Sequence, residues 1–317
     1  MNNIFIKENA FKITLVVSVI FLIIFYLLSY FQLIQSTDSI AFIGEASRWC
    51  ERISGGPFRE PANTLSNLGF MIVGLFILYK LSNEVSFNEF SGLNHITILY
   101  GVAVVWLGPG SMLMHGTNTE WGGWADNLSM VMYIILPWLY NIYKMSNWTI
   151  STLLKTYTGI VIFYAVMRGL FGDGMGIGLS LFGVSIGLWV ISEFLYKFWS
   201  PNMRLISGFV GFLVLMLFGT SPIEVYENFN DYWWIIFFWL PGLLANKKPE
   251  GVRTYRWYFM GMIAYLSAFA IWLTGVPDSE SCNPDTIFQA HGYWHLLTAL
   301  STIFFFYHYR SEQLIKN

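Results

Sequence analysis

Charge is what this sequence has least of. Asp, Glu, Lys and Arg make up 11% of its 317 residues, against about 25% in an ordinary soluble domain. So little charge over so long a chain excludes a soluble globular protein. A basic stripe is missing too. With 17 Lys and Arg against 19 Asp and Glu, the formal net charge is −2, which argues against a nucleic-acid partner. Only two cysteines are present, so no scaffold of many disulfides can form. There is no low-complexity segment, no convincing repeat and no soluble domain at either end.

What the chain has instead is apolar length. Hydrophobic residues make up 55% and aromatics 19%, in runs long enough to cross a bilayer. The expected fold is an all-α polytopic membrane protein, a single transmembrane domain over 1–317. About ten spans are expected: 13–34, 62–81, 96–116, 125–144, 150–170, 176–197, 204–221, 230–246, 255–275 and 289–309. The first run is too long for a signal peptide and is followed by "QSTDSIAF", without a small-residue cleavage pattern, so it reads as a retained helix. The stretch around 204–246 could be re-entrant. An alternating path puts both termini on one face, together with all Lys and Arg except Arg48, Arg52, Arg59 and Arg168. The positive-inside rule makes that face cytoplasmic. Cys50 and Cys282 fall on the opposite, exoplasmic face, either as a disulfide, if that face is oxidising, or as two free thiols. "YWWIIFFW" at 232–239 reads as lipid-facing and interfacial aromatic surface, and the glycines of "GFVGFLVLMLFG" as close helix packing.

Three of five histidines converge. His115 closes the third span, and His291 and His295 open the tenth, all at exoplasmic helix ends. Residues i and i+4 of a helix lie one above the other, so His291 and His295 face one point that His115 can reach from a neighbouring helix. A lone intramembrane histidine is ordinarily a hydrogen-bonded core residue. Three together, with a fourth position open, form the pattern of a catalytic zinc site. Ser111 lies on the face of His115, four residues earlier, and Asp126 follows eleven residues later across a short turn. Such a carboxylate can take a proton from a metal-activated water, and such a hydroxyl can donate to an oxyanion. Their ordinary roles would be a helix-carbonyl hydrogen bond and an N-cap.

Three blocks, "WCERISGGPFREPANTLSNLGF", "GPGSMLMHGTNTEWGGWADNLSM" and "CNPDTIFQAHGYWHLLTAL", resemble the alkaline ceramidase family, within the superfamily that includes progestin/adiponectin receptors and GPI-remodelling membrane proteins. The resemblance implies a seven-helix core, here within 49–309. The extra helices would be 13–34 at the N-terminus and those inserted around 204–246. It implies zinc on His115, His291 and His295, Asp126 as general base, Ser111 at the oxyanion, and a Cys50–Cys282 disulfide. The implied reaction is hydrolysis of ceramide, a membrane lipid, to a sphingoid base and a fatty acid. The family's animal enzymes also bind calcium, which would involve Trp49, Glu51 and Glu60. Arg48 stands where an aspartate is usual, and Ile53 where an asparagine would be. Another acyl lipid as substrate, or a non-catalytic lipid receptor with a structural zinc, are the alternatives. Protein partners are not indicated.

Overall fold

The computed structural model describes residues 2–35 and 41–315, with side chains from Asn9 onward. In chain order its helices are α1 (Asn2–Tyr30), α2 (Pro61–Ser66), α3 (Leu68–Ser82), α4 (His95–Thr117), α5 (Glu120–Lys144), α6 (Ile150–Phe171) and α7 (Leu181–Phe198). There follow α8 (Pro201–Ile206), α9 (Val210–Leu217), α10 (Pro222–Glu227), α11 (Leu240–Leu244), α12 (Tyr255–Trp272) and α13 (Ala290–Arg310). The all-α expectation holds. Five helical stretches, Asn9–Tyr30, Pro61–Ser82, His95–Thr117, Ile150–Phe171 and Leu181–Phe198, are long and apolar enough to cross a membrane. Helices α5 and α13 have the length, at 25 and 21 residues. They carry Asp126 and the histidine pair and are too polar to qualify by composition.

Several boundaries differ from the expected ones. The first helix ends at Tyr30 rather than near 34, because Gln32 takes a positive φ of 57°, which breaks a right-handed helix. The run expected over 204–221 is a shorter continuous helix, Pro201–Leu217, in which α8 passes through a 3₁₀ turn at Ser207–Phe209 into α9. The run expected over 230–246 is a 3₁₀ stretch, Trp233–Trp239, leading into α11.

The chain divides into two compact units, Met1–Ser129 with Arg253–Gln313, and Met130–Val252 with Leu314–Asn317. In the first, α3 packs on α4, and α12 on α13. Helix α1 seats Phe25 against Met71 and Met112 while leaving Val16, Val17 and Ile24 at least half exposed, as suits a helix bordered by lipid rather than water. At one end of this unit Cys50 and Cys282 form a disulfide with a Cα–Cα separation of 5.7 Å. Beside it, Arg52 donates to both oxygens of Asp285 at 2.5 and 2.8 Å. That hydrogen-bonded guanidinium holds the Asp285 carboxyl below its ordinary range. The disulfide thus anchors the segment that carries Trp49 and Glu51 to the loop before α13.

The second unit corrects one reading. Phe238 is 1% exposed, so "YWWIIFFW" is not all surface. A Cβ at Gly211 would stand 2.1 Å from the Phe238 ring, and one at Gly187 2.6 Å from it. Gly187 of α7 and Gly211 of α9 therefore admit the Phe238 ring, and Gly208 admits Trp239, so close approach holds for two of the motif's three glycines, while Gly219 has nothing within 4 Å. Ile236 of the same stretch stays 56% exposed.

Candidate metal centre

The site is assembled at one end of the first unit, where α4 finishes and α13 begins. Helix α4 is fixed at its start by a capping box: Asn94 Oδ1 accepts from the backbone of Ile96 and Thr97, and the Thr97 hydroxyl accepts from Asn94. At its end Asn118 adopts the left-handed conformation, φ 51°, and its N–H returns to the Met114 carbonyl. Other terminal carbonyls, which a helix cannot satisfy internally, accept from a neighbouring strand of chain. Arg59 N–H donates to Gly116 O, and Glu60 N–H to His115 O. That pairing sets the Glu60 side chain beside the His115 ring. The tight turn at 118–119 then reverses the chain into α5. At Gly110 an added Cβ would lie 2.5 Å from Ser129 and 2.8 Å from the Ala125 carbonyl. Only glycine lets α5 approach so closely, and the approach puts Asp126 within hydrogen-bonding reach of Ser111.

His115, His291 and His295 are 1%, 6% and 3% exposed, and one ligand nitrogen from each lies within 4.8 Å of the others. Among the described residues they are the one group of three or more His, Cys, Asp or Glu side chains so arranged.

The outward nitrogens of two rings determine their protonation. His115 Nδ1 lies 2.7 Å from Glu60 Oε2. An ionised carboxylate only accepts, so Nδ1 carries the proton and Nε2 is bare. His295 Nδ1 lies 2.8 Å from the Ser66 hydroxyl, whose single hydrogen is donated to the Asn63 carbonyl at 2.9 Å. His295 Nδ1 is therefore a donor as well, and its Nε2 is also bare. His291 Nε2 stands 3.1 Å from His115 Nε2. Two ligands of a tetrahedral ion with bonds near 2.0–2.1 Å would stand about 3.3 Å apart. Inward lone pairs at this spacing, with outward nitrogens held by a carboxylate and a hydroxyl, fit a divalent cation with its orienting partners.

The remaining expected residues surround the histidines. The Ser111 hydroxyl, 5% exposed, hydrogen-bonds Asp126 and lies 3.4 Å from His295 Nε2. Asp126 itself is half-buried. Trp49 stacks on His291, centroids 4.4 Å apart and planes inclined by 21°.

Glu51 and Glu60, expected beside Trp49 at a calcium site, are both engaged in hydrogen bonds. Glu51 accepts from the backbone N–H groups of Ala62 and Asn63 at 2.6 and 2.8 Å, capping α2 from a distance. Burial pushes its carboxyl up despite those two bonds. Glu60 Oε2 serves His115 and the Asn63 side chain. Glu60 thereby supports the histidine site.

Spacing alone did not find Ser66, which lies 229 residues from His295 in sequence, nor the service of Glu60 to His115. The one available signal was that both belong to the block "REPANTLSN". Replacing Glu60 with glutamine is expected to weaken metal binding by about 10–100-fold. Competition with a chelator would measure it, and unchanged affinity would reduce Glu60 to a packing role.

No curated protein matches the chain. A family model described as Ceramidase matches residues 46–316, the stretch that contains all three histidines, Ser111, Asp126 and both cysteines. The family indicates a hydrolase that acts on the amide bond of ceramide, with a lipid for substrate and a metal dependence that suits the three buried histidines. The chain belongs to the ceramidase family.

Proposed function

We propose that this protein is a zinc-dependent intramembrane amidase that cleaves ceramide to a sphingoid base and a fatty acid. The carrying observation is the pair of bare Nε2 atoms on His115 and His295 facing His291, next to the hydrogen-bonded Ser111 and Asp126. His115, His291 and His295 would hold the ion. When bound, zinc supplies Lewis acidity, lowering the pKa of a water toward about 7 and polarising a carbonyl.

The rest is done by the chain. Glu60 and Ser66 keep the His115 and His295 rings in the tautomer that presents Nε2 inward. The Asp126 carboxylate takes the proton of the attacking water at an oxygen and returns it to the amide nitrogen as the C–N bond breaks. Ser111 orients Asp126 in the resting site and can turn its hydroxyl toward the oxyanion as it develops. Trp49, stacked on His291, closes one side of the site against water.

Zinc is favoured over harder cations because all three donors are imidazoles. The ten-span path, the seven-helix core within it, the cytoplasmic termini and the exoplasmic position of the site belong to the same reading. They are supported by the distribution of basic residues and by the disulfide at the site end of the first unit.

Incubation of the purified protein with a panel of ceramides and other acyl lipids, with metal analysis alongside, tests the proposal. Release of fatty acid from ceramide with about one zinc per chain is expected. Folded, metal-free protein that hydrolyses nothing would overturn it.

A further inference from the structure

Four arginines fall on the side expected to be exoplasmic, and three have anchors. Arg52 pairs with Asp285, Arg168 with Asp173, and the buried Arg59 donates to Ser54 O and Gln32 Oε1. Arg48 differs. It is exposed and makes no ion pair among the described residues. Its polar contact is a long one, 3.9 Å, to the sulfur of Met114.

Yet Arg48 is not adrift. Its guanidinium carbon sits 5.0 Å from the centre of the Trp49 ring, and that ring stacks on His291. Arginine, indole and imidazole thus form one column that leads from solvent to the metal centre. A cation that makes no ion pair among the described residues and is stacked on an aromatic face is ready to accept an anion. The planar fork of arginine matches carboxylate, phosphate and sulfonate oxygens bidentately.

The direction of approach limits what that anion can be. Lipid tails stay in apolar surroundings while the head group meets water, and Arg48 is exposed in the loop before α2, outside the candidate membrane spans. Resting on the amidase reading above, we propose that Arg48 is a specificity-determining residue that receives an oxyanion on the head-group side of the substrate. The favoured substrates are then N-acyl sphingoid lipids that carry a phosphate, sulfonate or carboxylate near the scissile amide, ahead of neutral ceramide.

The test compares a ceramide with its 1-phosphate of identical acyl chain, on wild type, Arg48→Gln and Arg48→Lys. The kcat/KM ratio of phosphate to neutral lipid is expected to be about two- to fivefold in wild type, the scale of an exposed charge pair. It should fall to about one in Arg48→Gln and recover in part in Arg48→Lys. A general loss of folding would lower both rates and leave the ratio in place. A ratio unmoved by Arg48→Gln overturns the proposal. So does a variant that keeps the ratio but escapes inhibition by added fatty acid, which would assign Arg48 to the product carboxylate. Binding of the same two lipids to zinc-loaded Asp126→Asn and to Asp126→Asn/Arg48→Gln keeps the two readings apart. Arg48-dependent preference in binding, without hydrolysis of any lipid by wild type, would sink the amidase and leave the anion site standing. Hydrolysis without that preference would do the reverse.

Discussion

His115→Ala protein is expected to be purified without its zinc and to hydrolyse ceramide at least about 10³-fold more slowly than wild type. The estimate follows from the several kcal/mol that a Lewis-acidic metal contributes to such a transition state. Alanine removes a bare Nε2 from a three-nitrogen set and leaves Glu60 buried with its Oε2 bonded to Asn63 alone. Elemental analysis and a fatty-acid release assay on the same preparation check both halves. His295→Ala should behave alike, with Ser66 as the orphaned partner. Full zinc occupancy with wild-type turnover in either variant would remove the histidines from the mechanism.

Asp126→Asn should separate binding from chemistry. Asparagine can keep the hydrogen bond to Ser111 but cannot take a proton, so zinc should be retained while kcat falls by about 10²–10⁴-fold. KM should change far less, because a group that acts in proton transfer contributes little to ground-state binding. This outcome would also distinguish an enzyme from a lipid receptor with a structural zinc, in which the substitution would have no turnover to lower. Wild-type kcat in Asp126→Asn would pass the role of base to another group.

Much of this was legible in the residues because helices are locally periodic. The spacing of His291 and His295 put two imidazoles on one face before any tertiary contact was known. The structure sets that pair beside the end of the helix that carries His115. The four-residue step from Ser111 to His115 and the short turn to Asp126 are likewise local, and the structure brings all five side chains to one end of the first unit. The boundaries were less legible. Nothing in an apolar run announces that Gln32 will turn left-handed or that 233–239 will wind as 3₁₀ helix.

By itself, then, the sequence determined a membrane-bound helical protein and the three-histidine face, since composition and helical period act over a few residues. Only the tertiary structure decided which groups set the tautomers of those histidines. Glu60 and Ser66 reach them across 55 and 229 residues, Glu60 through a backbone pairing at the end of α4 and Ser66 through the packing of α2 on α13, neither of which a local pattern encodes. It also decided that Trp49 stacks on His291 and that Arg48 lies over the Trp49 ring, without an ion pair among the described residues. Pairing at such distances depends on how whole helices pack, and packing is a property of the folded chain.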